Sequence, residues 1–140
     1  MQNGILSGID LIRFDLFGTL VEITDRRRLA MTTVLSLEEI VDAIQGGANM
    51  DKILNAKSAI AREVASTRLR TGVPEMLLAL SVPYGICSNL SPDYLPALPR
   101  FARLKPAFRI TSCEVGYMKL DPEIYELVVA AADLPRHKIL

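Results

Sequence analysis

The stretch from Leu11 to Leu20, LIRFDLFGTL, constrains the fold more than any other part of this sequence. An apolar run rich in β-forming residues leads to Asp15, and a Gly-Thr pair follows, which predicts a buried strand with an acid at its carboxyl end. In an open α/β sheet, ligands bind at that end of the strands. Asp15 is therefore a candidate nucleophile, metal ligand or helix cap, although a solvated strand-end aspartate fits the pattern equally well.

Composition narrows the class of protein. The chain has 140 residues, half of them apolar, which is enough for one domain with a hydrophobic core. Basic and acidic residues balance at 16 each, so net charge gives no reason to expect nucleic acid or a membrane surface as a partner. No apolar run is long enough to cross a bilayer. Cys87 and Cys113 lack metal-ligand spacing, and without a signal peptide they indicate reduced thiols in a cytoplasmic protein.

Strand patterns alternate with helix patterns along the chain. This alternation predicts an α/β fold with a Rossmann-like parallel sheet, flanking helices and right-handed crossovers. The strands are expected at 9–15, 82–88 (VPYGICS), 108–112 (FRITS) and from His137 (HKIL). Helices are expected from Pro74 to Leu80, as a short or broken helix after Ser91-Pro92, and from Asp121-Pro122 to Leu134.

Residues 21–70 have only helical patterns and interrupt the sheet. Expected helices run from Asp25 to Leu35, from a Ser36–Glu39 capping box to Gly46-Gly47, and from Asn49 to Thr67. We therefore predict a core of residues 1–20 and 71–140 and a small helical insertion at 21–70.

Two later motifs bring polar residues to strand or helix ends. YGICSNL places Ser88 and Asn89 after an apolar run, and GYMKLDPEIY places Lys119 before a helix start. With Asp15, the order nucleophile, hydroxyl, lysine resembles the haloacid dehalogenase superfamily of hydrolases, from about Ile9 to Leu140. The resemblance implies a core of that type in which the insertion is a short helical cap over the site. The superfamily's fourth motif, an acidic loop after another strand, is absent because the sequence stops at HKIL, so the core is expected to be incomplete at its C-terminus.

Phe17 separates two branches of the resembled superfamily. Its phosphatases have a second aspartate at this position as a general acid, a role that phenylalanine cannot fill. Its dehalogenases have an aromatic residue here and a tyrosine where this chain has Tyr125. The resemblance thus implies a metal-free hydrolase of the 2-haloacid dehalogenase type acting on a small anionic substrate. Leu120, where the superfamily usually has proline, is a smaller departure that affects the loop.

The resemblance assigns roles to individual residues. Asp15 would attack carbon and form an ester, Ser88 and Asn89 would donate hydrogen bonds to an anionic group, and Lys119 would keep Asp15 ionised. Residues implied to be catalytic are Asp15, Lys119 and Ser88, and those implied to contact substrate are Phe17, Gly18, Thr19, Asn89 and Tyr125.

Two alternatives stay open at this point. One is a magnesium-dependent phosphatase, in which Asp15 would bind the metal; otherwise no cofactor is expected. The other is a non-catalytic or truncated relative with a role in binding or assembly. The sheet edge after HKIL would also favour pairing with a second copy of the chain.

A basic run within the insertion has two readings. Arg26, Arg27 and Arg28 form either a solvated face or a group from which one guanidinium reaches over Asp15 to an anionic substrate.

Overall fold

The computed structural model describes residues 6–27, 34–44 and 49–140, and within them strands alternate with helices. The strands are β1 (Ile12–Phe14), β2 (Val21–Ile23), β3 (Thr67–Leu69), β4 (Tyr84–Ser88) and β5 (Arg109–Thr111). The helices are α1 (Leu37–Ala43), α2 (Met50–Ala65), α3 (Val73–Leu78), α4 (Ser112–Val115) and α5 (Pro122–Ala132). Two 3-10 helices cover Pro92–Phe101 and Arg136–Lys138. The predicted α/β class is confirmed.

The main sheet is parallel, with the strand order β1-β4-β5. Ile12 pairs with Tyr84 and Phe14 with Ile86, so β1 and β4 run in step towards the same edge. On the other side of β1, Ile139 forms one parallel bridge with Leu11. The strand expected from His137 is therefore limited to the last residues, because Arg136–Lys138 forms a 3-10 helix instead.

β4 is the central strand, and all of its residues are buried. Tyr84 and Ile86 pack into one hydrophobic cluster, which includes residues of the 3-10 helix Pro92–Phe101. Cys87 packs on the other face of the sheet against Ile124 and Val128 of α5. Burial on both faces explains why this strand is a continuous apolar run.

The helical segment between the first two sheet strands is bracketed by a small antiparallel ribbon. β2 pairs with β3, so the segment leaves and returns at one place. The two cap signals are confirmed: Ser36 forms a capping box with Glu39, and the Asn49 side chain accepts two hydrogen bonds from the first turn of α2. The division into core and insertion domains stays a prediction.

Some expected boundaries are wrong. No helix begins at Asp25, since Arg26 and Arg27 are not helical and the Asp25 carboxylate pairs with the Arg27 side chain at 3.0 Å. Residues 28–33 and the Gly46-Gly47 stop lie outside the described residues. α5 ends at Ala132 rather than at Leu134, because Asp133 adopts a left-handed conformation. None of the helices among the described residues has the length and apolar character needed to cross a membrane.

A buried carboxylate joins α2 to the core. Glu63 has no exposed surface, and its Oε2 accepts a hydrogen bond from the Tyr94 hydroxyl at 2.5 Å. Its Oε1 accepts from the Arg27 backbone N–H at 2.6 Å. A buried carboxylate needs such donors, so these two bonds fix the position of α2 over the 3-10 helix.

Gly85, in the middle of β4, is needed for space rather than for backbone freedom. A Cβ added there would lie 2.2 Å from the Phe108 Cζ atom. We expect Gly85→Ala to lower the free energy of unfolding by roughly 1–3 kcal/mol, the usual effect of overpacking. Denaturant unfolding measures the change, and Gly85→Ala combined with Phe108→Leu should recover part of the loss relative to Phe108→Leu alone. Equal losses in both backgrounds would contradict this account.

Candidate functional site

The three sequence motifs meet at the carboxyl edge of the main sheet. Asp15 follows β1 directly, Ser88 ends β4, and Lys119 lies in the loop before α5. The Lys119 Nζ atom lies 2.9 Å from the Asp15 Oδ1 atom. The Asp15 side chain is 40% exposed and the Lys119 side chain 22%, so the ion pair is open to a small molecule from solvent.

The turn after β1 fixes the Asp15 carboxylate. Its Oδ1 atom accepts a hydrogen bond from the Leu16 backbone N–H at 2.8 Å. Gly18 has a φ of +79°, which glycine adopts without strain, and its N–H donates to the Val21 carbonyl at 2.8 Å. Thr19 is exposed in this turn. The sequence LFGTL thus turns the chain away from the sheet and leaves the carboxylate at its edge.

Ser88 is a buried hydroxyl without a hydrogen-bond partner. The residue is 1% exposed, and its Oγ atom has no partner among the described residues. A buried hydroxyl without a partner costs free energy, and such groups occur where a ligand completes the bonding.

Asn89 links the second motif to the third. Its Oδ1 atom accepts a hydrogen bond from the Lys119 backbone N–H at 2.6 Å. This bond uses the amide oxygen and leaves the side-chain NH₂ group as a donor. The loop of Lys119 is therefore attached to the end of β4.

Tyr125 supports the same loop from α5. Its hydroxyl accepts a hydrogen bond from the Leu120 N–H at 3.4 Å. Leu120 has a φ of +87°, a conformation that proline cannot adopt because its ring holds φ near −65°. The departure from proline at this position therefore goes with a different backbone path next to Lys119.

Two residues that sequence reasoning did not select also contact these groups. The Ser112 hydroxyl accepts from the Leu90 N–H at 2.8 Å and lies 3.2 Å from the Leu90 carbonyl, to which it donates. The Arg13 guanidinium lies over the Tyr125 ring, 5.2 Å from its centroid. Their positions in the sequence could have indicated both residues. Ser112 directly follows a strand, and Arg13 lies two residues before Asp15, on the same face of the strand.

Phe17 lies between the site and the helical segment. Its ring meets the Tyr94 ring edge-on, with the centroids 6.2 Å apart. Tyr94 in turn binds Glu63 of α2. The Phe17 side chain thus packs against the contact between the core and α2.

Of the basic run, only the Arg27 guanidinium has a described ion pair, and its partner is Asp25 rather than Asp15. Arg26 is exposed, and the Arg27 guanidinium pairs with Asp25. Arg28 lies outside the described residues. The solvated reading therefore holds for Arg27.

The buried thiol beside Ser88 is not a competing nucleophile. Burial raises the pKa of Cys87, against a lowering by the charges of Lys119 and Arg13. The thiol consequently stays protonated near neutral pH, and only a thiolate attacks readily.

A divalent metal needs several ligand side chains close together. Within the described ranges, no group of three or more His, Cys, Asp or Glu side chains could hold a metal ion. Magnesium prefers several oxygen ligands, and Phe17, two residues after Asp15, has no side-chain oxygen. These residues alone do not fit a magnesium site.

Comparison with solved structures gives similar folds over nearly the whole chain. A predicted phosphoglycolate phosphatase from Haemophilus somnus 129pt has a TM-score of 0.62 at 18% identity, covering 94% of this chain and 75% of that one. L-2-haloacid dehalogenase from Xanthobacter autotrophicus has a TM-score of 0.62 at 16% identity, covering 94% and 68%. A subfamily IA hydrolase of the haloacid dehalogenase superfamily from Geobacter sulfurreducens PCA has 0.63 at 16%, covering 94% and 76%.

The chain has the haloacid dehalogenase-like fold. Neither a protein-family model nor a curated protein matches its sequence. At these identities the similarity establishes the fold, and both a phosphatase and a dehalogenase share it.

The hydrogen bonds between Ser112 and Leu90 predict how substitution of Ser112 affects the loop of Lys119. In Ser112→Ala, the Leu90 N–H loses its acceptor, which costs about 1–3 kcal/mol, and the loop of Asn89 loosens. We expect hydrogen exchange at the Lys119 amide to accelerate by about tenfold or more, because that amide is bound by Asn89.

Ser91→Ala is the matched control for that experiment. Ser91 is also fully buried, but its hydroxyl contacts Leu35 and Asp93 and not the loop of Lys119. Equal acceleration at Lys119 in both variants would show a general loss of stability and contradict the local linkage.

Proposed function

We propose that this protein is a hydrolase that uses Asp15 as a nucleophile on a small anionic substrate, with short 2-haloacids as the first candidates. The observation that carries the proposal is the ion pair between Lys119 and Asp15, 2.9 Å apart, at the sheet edge where the parallel strand β4 ends in Ser88. A partly exposed carboxylate next to a cation can accept a substrate of negative charge.

The first step is displacement at carbon. A carboxylate oxygen of Asp15 attacks C2 of the haloacid, the C–O bond forms, and the carbon–halogen bond breaks with both electrons going to the halide. The product is an ester of Asp15, and water then hydrolyses it to the 2-hydroxy acid. A halide leaves without a proton, so the absence of an acid at Phe17 does not hinder this step.

Lys119 and Ser88 supply the charge complement. The ammonium group lies 2.9 Å from the Asp15 carboxylate and would offset its repulsion with the substrate carboxylate. The Ser88 O–H, which has no other acceptor among the described residues, would donate to that carboxylate. The side-chain NH₂ of Asn89 is the second donor, since its oxygen binds the Lys119 loop.

The helical segment would act as a small cap. Phe17 packs against Tyr94, and Tyr94 binds Glu63 of α2, so the aromatic wall of the site is continuous with the inserted helices. Gly18 and Thr19 form the turn after Asp15, and Tyr125 binds the Leu120 N–H in the lysine loop; both contacts support assigning these residues to the edge of the substrate site.

The activity prediction uses 2-chloropropionate. We expect chloride release by the wild-type protein and none above background with Asp15→Asn, because the amide cannot displace chloride. Asp51→Asn, an identical change at an exposed position of α2, is the matched control and should release chloride like the wild type. Ser88→Ala should raise KM by about tenfold or more, since a hydrogen bond to a charged group contributes about 1.5–3 kcal/mol.

Mass spectrometry of the intact protein distinguishes the outcomes. An adduct on Asp15 with a single burst of chloride would show that the ester forms but is not hydrolysed. Continued chloride release would show full turnover. Neither chloride nor adduct, in a folded protein, would overturn the dehalogenase proposal. Release of phosphate from small phosphate esters would then favour the phosphatase alternative.

The second prediction concerns magnesium. We expect a Kd for magnesium above about 1 mM, because Phe17, two residues after Asp15, provides no oxygen ligand. Calorimetric titration of the wild type and of Asp15→Asn should give matching small heats. Stoichiometric binding that Asp15→Asn abolishes would contradict this and support a magnesium-dependent reaction.

A further inference from the structure

A cavity lies at the opposite end of β4 from the candidate site. It has a volume of about 340 Å³, within the range of small-molecule sites. Tyr84, which lines it, begins β4, and Ser88 ends the strand, so about 13 Å of extended chain separates the two places. The cavity is therefore distinct from the Asp15 site.

The wall of the cavity is mostly apolar. It is formed by side chains of β3, α3 and the segment after the 3-10 helix Pro92–Phe101: Leu69, Pro74, Leu77, Leu78 and Leu104. Leu78 is 87% exposed, a high value for a leucine beside a cavity. Such a wall favours a hydrocarbon chain over a polar molecule.

The remaining lining residues are cationic or donors. Arg103 and Lys105 line the cavity, and neither forms an ion pair with a described residue. They belong to the stretch 94–113, which has four basic residues and no acidic one in a chain of zero net charge. Of the other two, Arg100 binds backbone carbonyls and Arg109 pairs with Glu114, which leaves Arg103 and Lys105 available to a ligand.

The Tyr84 hydroxyl adds a buried donor. Tyr84 is 9% exposed, and its oxygen accepts the Lys105 backbone N–H at 2.8 Å. Its own proton has no acceptor among the hydrogen bonds of the described residues. A buried hydroxyl that only accepts still has a proton to donate to an anionic oxygen.

We propose that this cavity binds a small amphipathic carboxylate. The carboxylate would lie between Arg103, Lys105 and the Tyr84 hydroxyl, and the hydrocarbon chain would cover the leucine wall. Charge complementarity selects the carboxylate, because the lining contains two cations and no acid. The inference does not depend on any reaction at Asp15.

The test is calorimetric titration of the full chain with octanoate, octanol and octylammonium. Octanoate should bind more tightly than octanol, and octylammonium should bind least. Arg103→Gln combined with Lys105→Gln should weaken octanoate binding by about five- to tenfold, the range for two partly exposed ion pairs. Lys52→Gln combined with Arg62→Gln, an equal charge change on exposed positions of α2, is the matched control and should leave binding unchanged.

Amide chemical shifts locate the ligand. Octanoate should shift the amides of Leu77, Tyr84 and Lys105, in the wild type and in Asp15→Asn alike. Shifts confined to Asn89, Leu90 and Lys119 would place the ligand at the Asp15 site and overturn the proposal. Equal affinity for octanoate and octylammonium, equal weakening by both pairs of substitutions, or no binding would also overturn it. None of these results bears on chloride release.

Discussion

The structure depends on the complete burial of β4 between two parallel neighbours. Its five residues are buried, and the neighbouring strands β1 and β5 lead to Asp15 and Ser112 at the same edge. The close approach of Phe108 to Gly85 shows how little space this arrangement leaves. Because the strands are parallel, the residues that follow them converge, and a site forms where the chain turns away from the sheet.

The polar groups of the site are linked to one another by neutral hydrogen bonds and one ion pair. Ser112, after β5, binds the backbone of Leu90; Asn89, beside it, binds the Lys119 amide; and Lys119 pairs with Asp15 after β1. Three strand ends therefore position one ion pair. Ser88 is the exception, since its hydroxyl is buried without a partner among the described residues. Such an unsatisfied group is destabilising in the free protein and is available to a ligand.

A buried carboxylate on α2 is one of the contacts that attach the inserted helices to this framework. Glu63 is held by a tyrosine hydroxyl from the 3-10 helix and by a backbone N–H beyond β2. The same Tyr94 contacts Phe17, two residues after Asp15. A change in the packing of α2 would thus reach the site through two side chains. The aromatic residue at position 17 therefore has a structural role in this contact.

The sequence by itself predicted the α/β class and a parallel sheet, and it put Asp15, Ser88, Asn89 and Lys119 at the ends of predicted strands or before a predicted helix. It could do so because strand burial, cap residues and strand-end polar groups are local patterns. Only the tertiary structure decided which groups meet. The Ser112 contact joins residues 22 apart and the Glu63–Tyr94 contact residues 31 apart, separations over which no local pattern carries information. The start of a helix at Asp25 was wrong for a related reason, since Asp25 pairs with the Arg27 side chain and the Arg27 amide binds Glu63, both in preference to a helical turn.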